Sequence, residues 1–436
     1  MNSEALSSRF SKVRSTQIYR SKKTSGKSAL PKEASVAQKA SSSKGLALGT
    51  SVSMLAGKKV LGSKKSGAPA RSADSNSDLL GGIVDGVKDF FGIGTRRAED
   101  KDKEATVAVF DSFNGADDEG VSTHGEQVEG IIQNQTGLED KDVQRFQISS
   151  QGSLDGLKED LADGDEGSLE GYVEDRYTSL LDNTSGAIEE ILEDENSQIR
   201  VINQSQSVAE GRIARDLWRE AGEDDEFRAD LAESIGLDAN VGDRELAQAL
   251  VDELGSIVEG NDAIQDSLDH FDETSQRAKE AGITHVVTSG NLGRFAETLD
   301  NLGVKTDRQF YDSAFANGHS ISVAATDGQM TREGTDDTNA VFNSPNANAD
   351  IAAPGVDIGL VTQDGERERN SGTSFAAPLV TAAIHELLEA NEDLSPQNIE
   401  RILERSATNI DEDFTEIGHG VLNPDNAIGL AADWVA

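Results

Sequence analysis

The sequence predicts an α/β fold with a mostly parallel central sheet flanked by helices, and three observations carry this expectation. Residues 106–110 and 283–287 are short, apolar, β-branched runs that end in polar groups, Asp111-Ser112 in one case and Thr288-Ser289-Gly290-Asn291 in the other. Such runs read as strands buried on both faces, with functional side chains at their carboxyl ends, where open α/β sheets place their sites. Around them, apolar positions return at helical spacing: Val128, Ile131 and Ile132 after His124-Gly125, and Val380, Ile384, Leu387 and Leu388 after residues 372–378. A chain of 436 residues holds one α/β domain of roughly 300 residues plus further segments.

In chain order, residues 1–75 form a basic, Ser/Lys-rich leader with fifteen Lys and Arg against three acids. That composition is expected to stay disordered. Residues 76–104 carry Leu79, Leu80, Ile83, Val84, Val87, Phe90 and Phe91 at near-helical spacing, then Thr95-Arg96-Arg97; they read as an amphipathic helix and linker. Residues 105–436 form the main domain. From residue 76 onward, 25 Lys and Arg face 77 Asp and Glu. Inside the domain, about 206–280 is acidic with helical patterns (Ile213, Leu217; Leu246, Leu250, Leu254) and reads as a helical insertion near the cleft. So acidic a body is not expected to bind nucleic acid, and it would steer cationic peptide segments toward itself.

Other function classes fall away on composition. With no cysteine, there is no disulfide framework, thiol nucleophile or zinc-thiolate site. No apolar run reaches membrane-spanning length, so no transmembrane segment is expected. Residues 45–57 are only mildly apolar and give no clear signal peptide; the compartment stays open between the cytoplasm and a non-classical export route. Of six histidines, only His124 lies in a motif, and no pair has metal-ligand spacing. The acidic run Asp163-Gly164-Asp165-Glu166-Gly167 is a loose calcium-like cluster without the EF-hand pattern, so a structural calcium ion is compatible with the chain but not specified by it.

Residues 372–378 (GTSFAAP) are the most informative stretch. They set Ser374 at a helix N-terminus, where free backbone N–H groups and partial positive charge favour an oxyanion-forming nucleophile. Gly372 and Ala376 let a substrate backbone approach, and Pro378 is expected in the first turn, where a missing N–H costs little. Alone, the stretch also describes an ordinary serine-capped helix. The balance comes from the rest: a carboxylate at a strand end (Asp111), an imidazole thirteen residues on (His124), and an amide in a Gly-containing loop (Asn291). Acyl transfer by serine needs these parts: nucleophile, base, orienting carboxylate and oxyanion donor.

These residues resemble the subtilases, the subtilisin-like serine proteases. Residues 372–378 are similar to the nucleophile signature, 107–112 to the strand carrying the aspartate, and 289–291 to the loop carrying the oxyanion asparagine. Residues 201–205 resemble the strand leading into one cleft wall, 350–355 the strand before the nucleophile, and 394–403 and 418–423 the closing segments. The resemblance covers roughly 105–430. It implies a subtilisin-like three-layer fold and a serine endopeptidase acting on protein or peptide substrates through an acyl-enzyme. Asp111, His124 and Ser374 would be its triad, and Asn291 its oxyanion donor. Ser205, Gln206 and Ser207 would line one cleft wall, and Thr288, Ser289 and Gly290 the other. No cofactor is required for that chemistry. Family precursors also make the chain's own leader a candidate inhibitor.

The sequence departs from the family at Phe113, where a glycine is usual, and at Glu126, Gln127 and Glu129, where Thr, His and a small residue are preferred. A buried Glu129 would need a partner. A catalytically silent subtilase-like module that binds peptides is the alternative, opposed by the presence of all four key residues. An α/β-hydrolase runs Ser, acid, His; this chain runs Asp, His, Ser.

Overall fold

Six short strands form one sheet in which every neighbouring pair is parallel: β1 (Val107–Asp111), β2 (Val143–Gln147), β3 (Val201–Gln204), β4 (Thr284–Thr288), β5 (Ser320–Thr326) and β6 (Ile351–Pro354). Their spatial order is β2-β1-β3-β4-β5-β6. The computed structural model describes residues 106–434 except 114–121, 308, 329–336, 346–347, 362–366, 411 and 413. The leader and the piece at 76–104 lie outside the described residues.

Strand order fixes where a site can form. β1 has β2 on one side and β3 on the other, so the β1-to-β2 and β2-to-β3 crossovers run in opposite directions and open a crevice at the carboxyl ends of β1 and β3. Asp111 closes β1, and Ser205 follows β3 directly.

Alternating side chains divide the protein into three layers. Val107 and Val109 pack on Val128 and Ile132 of α1 (His124–Thr136), while Ala108 and Phe110 point into the opposite layer. That layer holds α2 (Leu154–Ala162), α3 (Ser168–Glu193), α4 (Glu210–Glu223), α5 (Asp225–Ser234), α6 (Asp243–Gly260), α7 (Asp262–Glu280) and α8 (Gly293–Leu302). Leu217, Leu250 and Phe271 join Ile202 and Val287 there, so the helices within 206–280 share one apolar core with the sheet.

On the first face lie α9 (Thr373–Ala390), α10 (Pro396–Ser406) and, after the short α11 (Phe414–Ile417), α12 (Pro424–Ala432). A hairpin, β7 (Ile358–Val361) with β8 (Arg367–Asn370), precedes α9. Residues 373–385 of α9 are all buried against α1 and β3–β6. Each large apolar side chain among them contributes about 1.5–3 kcal/mol by burial, so the helix that carries Ser374 is firmly anchored.

Pro378 sits elsewhere than the sequence suggested. α9 begins at Thr373, which puts the proline in the second turn, where its missing N–H leaves the Ser374 carbonyl without its helical donor. The Ser205 hydroxyl takes that place, donating to the Ser374 carbonyl at 2.9 Å.

Candidate active site

At the carboxyl end of β1, Asp111 is buried and its Oδ1 accepts two hydrogen bonds, from the Ser112 N–H at 2.7 Å and from His124 Nδ1 at 2.8 Å. A carboxylate only accepts, so the proton of a neutral His124 lies on Nδ1 and Nε2 is left as the basic nitrogen. The ring keeps 38% of its side-chain exposure. Its place follows from local structure. Thr123 caps α1 and forms a reciprocal pair with Glu126: Thr123 N–H donates to Glu126 Oε2 at 2.7 Å, and Glu126 N–H to Thr123 Oγ1 at 3.3 Å. The Gly125 N–H also donates to the Ser112 carbonyl at 3.1 Å, tying the start of α1 to the end of β1.

Across the crevice, Ser374 is second in α9, so its N–H has no partner four residues back. Phe375, the next residue, packs on His124 with ring centroids 5.7 Å apart. His124 and Ser374 make no hydrogen bond to each other here, a separation common before substrate binds. Asn291 Oδ1 accepts from the Thr373 N–H at 2.9 Å and from Thr373 Oγ1 at 3.1 Å. A backbone N–H can only donate, so the amide oxygen must face Thr373 and Nδ2, a donor, faces away. Gly372 lies between these groups: a Cβ there would lie 3.1 Å from Ser374 Oγ and 3.4 Å from Asn291 Nδ2. Ser374 Oγ and Asn291 Nδ2 therefore border the same small space.

The two expected walls differ in character. Ser205 is buried beneath Ser374 and accepts from Asn203 Nδ2 at 3.0 Å; Asn203 Oδ1 accepts in turn from Thr381 Oγ1 at 2.9 Å. Gln206 Nε2 donates to the Ile148 carbonyl at 3.1 Å, and the Ser207 carbonyl and hydroxyl accept from Arg212 Nη1 at 3.0 and 3.2 Å. On the other side, Thr288 and Ser289 are buried and bond inward. Thr288 Oγ1 donates to Thr373 Oγ1, and the Ser289 N–H to the Val323 carbonyl at 3.0 Å. Gly290 adopts φ 102°, and a Cβ there would lie 2.6 Å from Ser344 Oγ, so only glycine fits the turn that presents Asn291.

Residues 74–420 match the subtilase family. The chain belongs to the subtilase family. It is 29% identical over 195 residues to the serine protease AprX of Bacillus subtilis (strain 168), covering 39% of this chain and 41% of that protein. It is 28% identical over 151 residues to subtilisin DY of Bacillus licheniformis, covering 35% of this chain and 48% of that protein. The matched part spans less than half the length of these curated relatives. Among solved structures, the prenylagaramide maturation protease PagA aligns with 77% of this chain and 95% of its own, at a TM-score of 0.45 and 19% identity.

Each departure of this subtilase from its family's pattern has a structural answer. Glu126 completes the cap of α1. Gln127 Oε1 accepts from Asn370 Nδ2 at 3.0 Å, fastening α1 to β8. Glu129, only 1% exposed, accepts from Arg145 Nε on β2 at 2.5 Å and from Gln133 Nε2 at 3.0 Å. Burial still holds its carboxyl above the ordinary glutamate value, with Arg145 pulling the other way. Phe113 lies over Gly125, where a Cβ would come within 2.7 Å of its ring, and the Arg145 guanidinium sits 5.3 Å from the ring centroid.

The sequence reading missed Arg145, Asn203, Thr381 and Arg212. For α1 a signal was present, the Thr123-x-x-Glu126 capping pattern. Arg145 and Thr381 meet the site through contacts with residues 16 and 178 positions away, and the short-range bonds of Asn203 and Arg212 carry no sequence signature. Among the described residues no three His, Cys, Asp or Glu side chains are grouped as a metal site, and no helix is long and apolar enough to cross a membrane.

Proposed function

We propose that this subtilase is a serine endopeptidase with Asp111, His124 and Ser374 as its triad. Ser374 Oγ attacks the scissile carbonyl carbon while His124 Nε2 takes its proton. The developing oxyanion lies between Asn291 Nδ2 and the Ser374 N–H. As the tetrahedral intermediate collapses, His124 passes the proton to the leaving amine, and water then cleaves the acyl-enzyme by the same route in reverse. Asp111 holds the Nδ1–H tautomer throughout. The observation that carries this reading is the Asp111–His124 hydrogen bond set across from a helix N-terminus where Ser374 Oγ and Asn291 Nδ2 share one space.

A fluorophosphonate probe, with mass spectrometry of the labelled peptide, tests it. Label is expected on Ser374, and Ser374→Ala is expected to lose both label and peptide hydrolysis while keeping its unfolding midpoint. Asn291→Ala is expected to lower kcat by ~10²–10³-fold, about 3–4 kcal/mol of transition-state stabilisation. A change confined to KM would remove Asn291 from the oxyanion role. Peptide binding without label or turnover would instead identify a silent peptide-binding module.

A further inference from the structure

Two arginines stand at the Ser205–Ser207 wall with donors unused. Arg212 is fixed through Nη1 to the carbonyl and hydroxyl of Ser207, yet its Nε is buried without a partner. Arg176, on α3, makes no hydrogen bond or ion pair among the described residues, and its Nε is likewise buried and unpartnered. Its stem lies over Gly152, in the segment after β2 that Gln206 grips through the Ile148 carbonyl. Asp216, on the same helix as Arg212, is engaged through Oδ1 by Nε and Nη2 of Arg215. Burial holds the Arg212 guanidinium below its usual value; Asp216 and, more weakly, Asp111 oppose this, while Arg215 and Arg176 add to it. Neither Arg176 nor Arg212 therefore has a carboxylate partner at this corner, in a body whose acids outnumber its bases threefold. Buried guanidinium N–H groups left without an acceptor cost stability, and a carboxylate brought in by a ligand would relieve it.

We propose that Arg176 and Arg212 form a specificity subsite for an acidic side chain, Asp or Glu, of the peptide substrate. The proposal rests on the endopeptidase reading for the identity of the ligand. Ser205 backs the Ser374 carbonyl, and Ser207, two residues on, carries Arg212. A peptide laid along this wall advances about 3.4 Å per residue, which places the recognised carboxylate about two or three residues from the scissile bond. The acidic surface as a whole favours cationic peptides by long-range attraction. Salt screens that field over roughly 8 Å at physiological strength, whereas the contact with the arginines is local and persists. One position of the substrate is therefore selected against the general charge preference of the molecule.

The test uses the full chain and peptide sets in which Glu, Gln or Lys occupies each position up to three residues either side of the cleaved bond. At physiological salt, one position is expected to show kcat/KM about tenfold or more higher for Glu than for Gln. Arg176→Gln and Arg212→Gln are each expected to shrink that ratio to below about threefold, and Arg176→Glu to turn the preference toward Lys, which a merely structural role would not do. Equal rates for Glu and Gln peptides at every position, or a Glu preference that survives Arg176→Glu, would overturn the subsite. The same peptides are also titrated against Ser374→Ala by fluorescence anisotropy. If wild type neither takes the fluorophosphonate nor cuts any peptide, the endopeptidase reading fails, and the binding ratios still decide the subsite.

Discussion

His285 is the second residue of β4, 2% exposed, between the rings of Phe110 and Phe271, each with its centroid 6.2 Å away. Neither ring nitrogen has a hydrogen-bond partner, and burial pushes its pKa down to about 3. In the unfolded chain the imidazole titrates near 6.5. Between those values the unfolded state binds a proton that the folded state refuses, so stability is present above about pH 6.5 and drains away as pH falls toward 3. At 1.36 kcal/mol per unit, moving from pH 7 to pH 5 costs about 2 kcal/mol through this residue alone. Replacing it by leucine removes the titration and both unsatisfied nitrogens while keeping an apolar body between the two phenyl rings. Urea unfolding followed by tryptophan fluorescence at pH 5, 6 and 7 measures the effect. The stability difference between His285→Leu and wild type is expected to move by about 2 kcal/mol in the variant's favour from pH 7 to pH 5. A difference that stays constant with pH would mean that His285 is protonated in the folded protein or hydrated within it, and the reasoning from burial would fail.

Three further outcomes are expected. Arg145→Ala strands the buried Glu129 carboxylate and should cost about 3 kcal/mol in urea unfolding, whereas Arg145→Leu with Glu129→Leu should recover much of that loss; a double variant no more stable than the single would refute the pairing. Gly125→Ala should lower the unfolding midpoint because its methyl meets the Phe113 ring, and Phe113→Gly in the same chain should restore it; loss of stability without rescue would place the strain elsewhere. If the basic leader restrains the acidic body, a chain starting near Asp102 should cleave peptide faster than the full chain at low salt, with the gap closing as salt rises. Equal rates at both salt levels would leave the leader no inhibitory part.

Much of the site was legible because its elements are buried on both faces. β1 reads as an apolar run that stops at Asp111, and the β-branched run of β4 leads into the loop that carries Asn291, so both proposed site residues stand out where a strand ends. β2 gave no such signal. It is an edge strand with only Val143 and Phe146 fully buried, and its charged Arg145 reads as solvated surface until Glu129, sixteen residues away, is folded beneath it. The arginine pair was equally hidden. Arg176 and Arg212 sit on different helices, thirty-six positions apart, among many acids, and composition alone pointed toward cationic substrates. Local pattern reports which face is buried; it carries no information about which distant charge arrives there.

Pro378 shows what that limit conceals. A proline in the second turn of α9 removes the hydrogen bond that would hold the Ser374 carbonyl, a gap in the backbone ladder at the proposed nucleophile. The structure assigns this acceptor to Ser205, whose hydroxyl is itself bonded by Asn203, which is bonded by Thr381 on the same helix two turns on. The missing helical bond is thus replaced by a buried polar circuit that starts and ends on α9 and passes through Ser205, the first residue after β3. All its members are nearly sealed from water, where an unmade hydrogen bond costs about 1–3 kcal/mol. The segment after β3 and the backbone of Ser374 are consequently held in register by one set of bonds.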